Sequence, residues 1–427
     1  VINKLLIVGY VWPEPNSSAA GSRMLELVKL FLAQCVDVVF ASASALSEHR
    51  FNLTELGVNE RSIALNCSSF DELLREIQPD AVLFDRFFTE EQFGWRVEKV
   101  CPNALRILDT EDLHSLRHAR QQLLKKSQKN TRDENERQSV DPVSANMEEL
   151  YEQMFSDDMV VREIAAIFRC DLTLMISLFE IELLTTYFSV PQHLLRYCPF
   201  LSLQTVDALP DFNDRQHFIC IGNFRHEPNW DAVLYLKHAI WPLIRSQLPQ
   251  AELHIYGAYP PPKATQLHNA KQGFYIKGWA ENAFAVMQQA RVCLAPLRFG
   301  AGIKGKLMDA MRCGTPSITT NIGAEAMCGD LEWGGLIANN AQDIAESAVK
   351  LYSNEAAWKN CQQQGHFVLQ NYFQAENNSE LLISRLESLR RSLAQERQKN
   401  FIGVMLRHHS LKSTQYMSQW IEAKNKI

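Results

Sequence analysis

Short apolar runs alternate with amphipathic helical patterns twice along this chain, and that alternation constrains its fold more than any other feature. In the first half the runs are LLIVGY (5–10), VDVVFAS (36–42), AVLFD (81–85), LRILDT (105–110) and LTLMIS (172–177), with LRYCP (195–199) a sixth candidate. Each is short, apolar and strand-like, as expected of strands buried on both faces. The intervening GSRMLELVKLFLAQ places apolar residues at i, i+3, i+4 and i+7, one face of a helix. Strand–helix alternation predicts a parallel sheet covered on both sides. A second series opens near residue 216 with HFICIGNF, AELHIYGAY, GFYIKGW, RVCLAPL, PSITTN and GGLIAN, separated by patterns such as DAVLYLKHAIWPLI. The predicted class is α/β: two doubly wound, Rossmann-like domains facing a cleft, residues 1–205 and 206–385, with a connector around 201–214. Ligands of such sheets sit beyond the carboxyl ends of the strands.

Two segments fall outside this rhythm. Residues 115–165 are polar, basic before they become acidic, and read as a helical insertion: two helices joined by a mobile turn around Asp141-Pro142. Arg117, Arg120, Lys125, Lys126 and Lys129 would suit a lid or a peripheral membrane contact, whereas a solvated helical face is the commoner meaning of such a charge run. Residues 386–427 read as helices too apolar to hang free.

Composition narrows the partners. A net charge of −6 argues against nucleic acid. Ten scattered cysteines without a CxxC pair suit a reducing cytoplasm, at most against the inner face of the membrane. The N-terminal stretch, interrupted by Pro13 and Pro15, does not read as a signal peptide, and no apolar run approaches the length of a spanning helix.

The chemistry concentrates in RFGAGIKGKLMDAMRCGTPSITT (298–320), which reads as a strand-end loop, an amphipathic helix and a further strand. Backbone amides and two lysines at a helix N-terminus make a phosphate site. Gly300, Gly302 and Gly305 spell the dinucleotide fingerprint, with Glu325 at the ribose-acid distance. Gly300, Gly305 and Lys306 spell a P-loop, but Leu307 stands where the magnesium-holding Ser or Thr belongs. Both motifs normally occupy the first strand-to-helix turn of a domain, whereas this loop follows the fourth strand of the second series. A nucleotide-sugar site is the third reading.

Three other strand ends face the cleft. The turn GYVWPEPNSSAAGSRM (9–24) offers the amides of Ala20, Gly21 and Ser22 and the charge of Arg23, or else a plain cap by Ser17 or Ser18. GNFRHEPNWD (222–231) places Gly222 and Arg225 beyond a strand, where Arg225 could grip a diphosphate bidentately. LDTEDLHSLR (108–117) gathers Asp109, Glu111, Asp112 and His114, for hydroxyl binding or general-base work, or simply for capping. There is no Asp-x-Asp triplet for a metal-held diphosphate and no zinc spacing, and His408-His409 reads as a polar helix face.

With IGNFRHEPNWDAV, IYGAY, IKGW, the glycine loop, NIGAE and GGLIANNAQDIAESAVKLYSN in one order, the chain resembles a GT-B-fold glycosyltransferase of family 4, the glycosyl transferases group 1. The resemblance implies transfer of a sugar from a nucleotide diphosphate sugar to a hydroxyl of a glycan, lipid or protein, in polysaccharide or glycoconjugate biosynthesis. Retention, no essential metal and no cofactor beyond the donor itself go with it. It implies that the amides of Gly300, Ala301, Gly302 and Ile303 hold the distal phosphate and sugar, and that Lys304 or Lys306, together with Arg225, neutralises the leaving diphosphate. Asp309 matches the second acid of a paired-acid motif that binds ribose, whose first position is Ala301. Gly278 and Trp279 fall where the base is held, Ala20 and Gly21 where a first-domain turn faces the phosphates, and His114 near an acceptor-side histidine. The tail would cross back onto the first domain, with Trp420 as its anchor. The alternatives are a nucleotide-sugar binding protein without turnover, a sugar-nucleotide epimerase, and an NAD-linked oxidoreductase.

Overall fold

The structure, a computed structural model, describes residues 2–129, 133, 137–201, 208–373 and 375–425. Its first sheet has seven parallel strands, β1 (Lys4–Gly9), β2 (Asp37–Ser42), β3 (Asn59–Ser62), β4 (Ala81–Asp85), β5 (Leu105–Asp109), β6 (Leu172–Met175) and β7 (Leu195–Tyr197). They lie in the order β3-β2-β1-β4-β5-β6-β7. The second has six, β8 (Gln216–Ile221), β9 (Leu253–Tyr256), β10 (Phe274–Gly278), β11 (Ala290–Ala295), β12 (Ser317–Thr319) and β13 (Gly335–Ile337), in the order β10-β9-β8-β11-β12-β13. Leu5 to Val8 of β1 are fully buried because β2 and β4 flank the strand and helices cover both faces. The predicted α/β class with two doubly wound sheets is what the chain forms.

β3 escaped the sequence reading. It is an edge strand whose four residues, Asn-Glu-Arg-Ser, bury no apolar side chain, so no hydrophobic period marks it. In each sheet the strand order reverses between neighbours, β1 and β4 in the first, β8 and β11 in the second. Loops leaving the two sides of such a reversal part and open a crevice. The glycine loop follows β11 and therefore lies at the second crevice.

The insertion corrects two expectations. Its described residues include helices His114–Lys129, Met147–Phe155 and Asp158–Arg169, where two were predicted. Asp157 ends the middle one by capping the next, accepting from Met159 N at 2.9 Å. The turn expected to be mobile is tied to the second domain. Asp141 Oδ1 accepts from Tyr235 Oη at 2.5 Å and from Ala341 N at 3.1 Å. Buried Arg298, paired with Asp231, donates to the carbonyls of Gln138 and Val140 at 3.0 and 2.8 Å. Of the five basic residues singled out, Arg117 and Arg120 turn inward onto Asp112 and Glu325, while Lys125, Lys126 and Lys129 stay exposed.

The tail returns to the first domain. Helix Ala375–Arg391 sets Leu382, Leu386 and Leu389 on one face, and all three enter the core under β1, β2 and β5. Arg390 then pairs with Asp80 at 2.5 Å, and Arg397 brackets Asp171 with contacts of 2.7 and 2.8 Å. The last helix, Phe401–Asn425, packs on helices Arg86–Val100 and Asp158–Arg169. Trp420 is not the anchor the sequence suggested: it is 61% exposed. Among the described residues no helix is long and apolar enough to cross a membrane.

Candidate functional site

Two helix N-termini meet in the cleft. Helix Ala19–Ala33 follows β1, and helix Gly305–Arg312 follows the glycine loop after β11. A Cβ on Gly305 would stand 2.6 Å from Ala19 Cβ, so the two ends abut and only glycine fits. Ser18 Oγ accepts from Gly21 N at 3.0 Å, which takes up the Gly21 amide and leaves those of Ala19 and Ala20 for the cleft. Gly21 itself is dictated by packing, since a Cβ there would lie 2.4 Å from Glu14 O. Helix Gly305–Arg312 has no side-chain cap at all. Each end carries partial positive charge, and bringing two of them together favours an anion beside them in the cleft.

The glycine loop is pressed against the first domain. Gly302 has φ +64°, and a Cβ there would lie 2.9 Å from both Asp112 Cβ and Ile176 Cδ1. Its N–H donates to Glu180 Oε1 at 2.8 Å. Arg120 reaches across to donate to Gly300 O at 2.8 Å and to pair bidentately with Glu325 at 2.5 and 2.9 Å. That pairing removes Glu325 from the ribose-binding role a dinucleotide fingerprint would give it. Ala301 packs partly buried against the first domain's core.

The two lysines separate. Lys304, the residue before the helix, folds back so that Nζ donates to Gly302 O at 2.7 Å. Burial lowers its ammonium to about 8, against the pull of Glu325. Lys306, two residues on, extends to Asn229 Oδ1 at 2.6 Å, beside Gly222. Asn229 is held in turn by its donation to Asn223 O at 3.0 Å. Gly222, Asn229 and Lys306 thus form one group at the ends of β8 and β11. Asp309 sits a turn further along its helix, half-buried, 3.3 Å from Arg312, and burial raises its carboxyl to about 6.

Outward from the lysines lies an aromatic wall built by both domains. Trp279 Nε1 donates to Asn16 O at 3.1 Å and its ring stacks on His49 at 4.4 Å. Tyr259 Oη donates to Glu14 Oε1 at 2.8 Å, and Arg225, exposed, lies 3.6 Å over the Tyr259 ring. Gly278 has φ +77° with open space around it, so its backbone turn alone calls for glycine.

The first-domain wall carries the expected acids and His114. The His114 ring lies edge-on to Phe87 and Phe88, 3.5 Å from Asp112 Oδ1. Burial pulls its imidazole down to about 3, so at neutral pH it is uncharged and a weak base. Arg117 beside Asp112 holds that carboxyl well below the usual range, although burial opposes it. Glu111 is pushed well above its ordinary value by burial and by Asp109. Arg86, at φ +69°, lies over the Tyr10 ring at 5.1 Å, and Tyr10 is 49% exposed toward the cleft mouth.

Arg23 is not a cleft residue. It is completely buried, donating to Asp109 Oδ1 at 2.8 Å and to the carbonyls of Cys198 and Pro199 at 2.5 and 3.0 Å. Conversely, the sequence reading passed over Glu180, Asn229 as the lysine's partner, His49, and His226, on which charges of Arg117, Asp112 and Lys306 all act. Glu180 had one legible signal, a Ser177-x-x-Glu180 capping pattern after β6. The others lie on turns whose partners come from a different domain.

Residues 215–354 match the family model described as glycosyl transferases group 1. Sucrose-phosphate synthase from Thermosynechococcus elongatus is similar in structure, with a TM-score of 0.60 at 13% identity over 91% of this chain and 99% of the other. So are Anabaena HepE in complex with UDP and glucose (TM-score 0.63, 10% identity, 90% and 100% covered) and a glycosyltransferase from Rickettsia africae (TM-score 0.60, 11% identity, 90% and 97% covered). No curated protein matches the sequence. At these identities the structural likeness establishes the fold, the two-domain GT-B arrangement.

Proposed function

We propose, from a second domain that is a glycosyl transferases group 1 domain in a GT-B fold, that this chain moves a sugar from a nucleoside diphosphate donor to a hydroxyl acceptor. The observation that carries this reading is the meeting of two helix N-termini at Ala19 and Gly305, with Lys304 and Lys306 beside them. That is where a diphosphate gains most from dipoles and charge. The HepE structure contains UDP, which makes UDP the first nucleotide to test. The aromatic wall of Trp279, His49 and Tyr259 suits the base, and Asp309 the ribose hydroxyls.

The lysines and helix ends supply the positive potential that a metal would otherwise bring, so the reading assigns no metal. It also assigns retention. A displacement from the rear needs a base for the acceptor proton, and His114, pulled down to about 3, is a poor one. In a front-face transfer the bond from the anomeric carbon to the phosphate oxygen breaks as the acceptor oxygen bonds to the same face. The acceptor proton passes to the departing phosphate. Tyr10, Phe88 and His114 would position the acceptor.

UDP-, GDP- and ADP-glucose, compared with NAD in a thermal-shift panel, test the donor. Stabilisation by a sugar nucleotide is expected, and stabilisation by NAD alone overturns the reading. Product analysis then separates a transferase from an inert binder, and the product's anomeric configuration tests retention. Activity is expected to survive EDTA.

Asp309 gives a pH prediction. Its folded-state value of about 6 lies above the ordinary carboxyl, so it binds its proton more tightly folded than unfolded. Its contribution to stability is therefore greatest in acid and falls as pH rises through about 6. Nucleotide binding runs the other way, since the ionised carboxylate is the better acceptor for ribose hydroxyls. UDP affinity measured by calorimetry should weaken as pH falls below 6, and Asp309→Asn should flatten that profile. An unchanged profile in the variant would remove Asp309 from the ribose site.

A further inference from the structure

From residue 299 to residue 303 the glycine loop reads Phe-Gly-Ala-Gly-Ile and offers no polar side chain. Its amides can meet phosphate oxygens, but a sugar hydroxyl held beside it needs a partner from elsewhere, because a buried hydroxyl left unmatched is costly.

One carboxyl group crosses the cleft to reach it, raised to about 8 by burial. Glu180 Oε1 accepts from Gly302 N at 2.8 Å and from Leu113 N at 3.0 Å. Glu180 is completely buried, and its other oxygen, Oε2, has no hydrogen-bond partner among the described residues. Two acids near the same loop are already engaged, Asp112 with Arg117 and Glu325 with Arg120, and Lys304 Nζ bonds the loop's own carbonyl, while Glu111 approaches Gly302 by its backbone and its carboxyl lies toward Arg23.

The local sequence predicts a different posture for this glutamate. In the capping box Ser177-x-x-Glu180 the glutamate should turn back to the Ser177 N–H. Half of the box forms, with Glu180 N donating to Ser177 Oγ at 3.4 Å. The carboxyl group goes to the other domain instead. A helix that gives up half its cap is answering to something outside itself. A tie between domains explains Oε1, which carries both backbone bonds, but leaves Oε2 unexplained.

We infer that Glu180 is a donor-sugar-binding residue, whose Oε2 hydrogen-bonds a hydroxyl of the transferred sugar while Oε1 holds the loop amide. The inference rests on the nucleoside diphosphate sugar reading above and adds to it the side chain that reads the sugar. Glu180 belongs to the first domain and the loop to the second, so recognition of the sugar is complete only in the closed cleft. Specificity is thereby tied to closure.

The test compares UDP, GDP and ADP with their glucose conjugates by titration calorimetry on the native chain, on Glu180→Ala, and on Glu180→Met. The methionine variant keeps the side chain's length without its oxygens and carries the comparison if the alanine variant unfolds. Both variants release the Gly302 amide and so weaken either ligand somewhat, but the sugar nucleotide should lose at least about tenfold more affinity than the nucleoside diphosphate, the loss expected for a missing hydrogen bond to the sugar. Equal losses for both ligands would make Glu180 an interdomain tie only and overturn the assignment, as would unchanged binding of the sugar nucleotide. If the native chain binds none of the six, the donor reading has failed and this inference falls with it.

Discussion

Lys306→Ala should lower turnover by about a hundredfold or more, the loss that follows removal of one preorganised charge-stabilising donor. Its ammonium extends from the first turn of helix Gly305–Arg312 to Asn229 Oδ1, next to the Gly222 turn, at the uncapped end to which the proposed function assigns the diphosphate. The positive charge is worth most as negative charge grows on the departing diphosphate, so kcat should fall further than donor affinity. Lys304 should behave differently. Its Nζ is bound to the carbonyl of Gly302, two residues back, so it shapes the loop. Replacing it should weaken nucleotide binding and loosen the loop together. Single-turnover rates for the two alanine variants separate these roles. Near-normal chemistry with Lys306→Ala would sink the placement of the diphosphate.

Arg23→Ala should cost the first domain about 3–5 kcal/mol, the usual loss when one partner of a buried ion pair is removed. Asp109 would be left buried without its guanidinium, and two carbonyls, of Cys198 and Pro199, would lose their donor. For a domain of this size the melting temperature should fall by about 10 °C, at roughly 2–4 °C per kcal/mol. The paired change Arg23→Met with Asp109→Asn should recover part of that loss, because it removes both charges. Calorimetric melts of the three proteins measure it. An unchanged melting temperature for Arg23→Ala would show that the pair contributes nothing to the fold. Arg23 and Lys306 look alike as basic residues near a strand-end turn, yet one is locked in a buried ion pair and the other extends to Asn229 at the ends of β8 and β11.

The strands of both sheets were legible wherever burial on two faces left an apolar run, as in Leu5–Val8 and Ala81–Phe84. β3 was not, because a polar edge strand borrows its register from β2 and carries no hydrophobic period. The glycine loop was legible as a turn leading into a helix, because glycines before an amphipathic run mean the same thing in any fold. The break that starts helix Asp158–Arg169 needed recognition of Asp157 as a cap.

Local chemistry therefore settled the two α/β sheets and the place of the glycine loop at a strand end, since propensity, period and capping act over a few residues. Which charges face the crevice was decided only in three dimensions. Arg23 finds Asp109, Arg120 finds Glu325, and Glu180 finds Gly302, partners 86, 205 and 122 residues away. Charge and hydrogen bonding act through space at a few ångströms, and no spacing along the chain records which distant segment packing will bring that close.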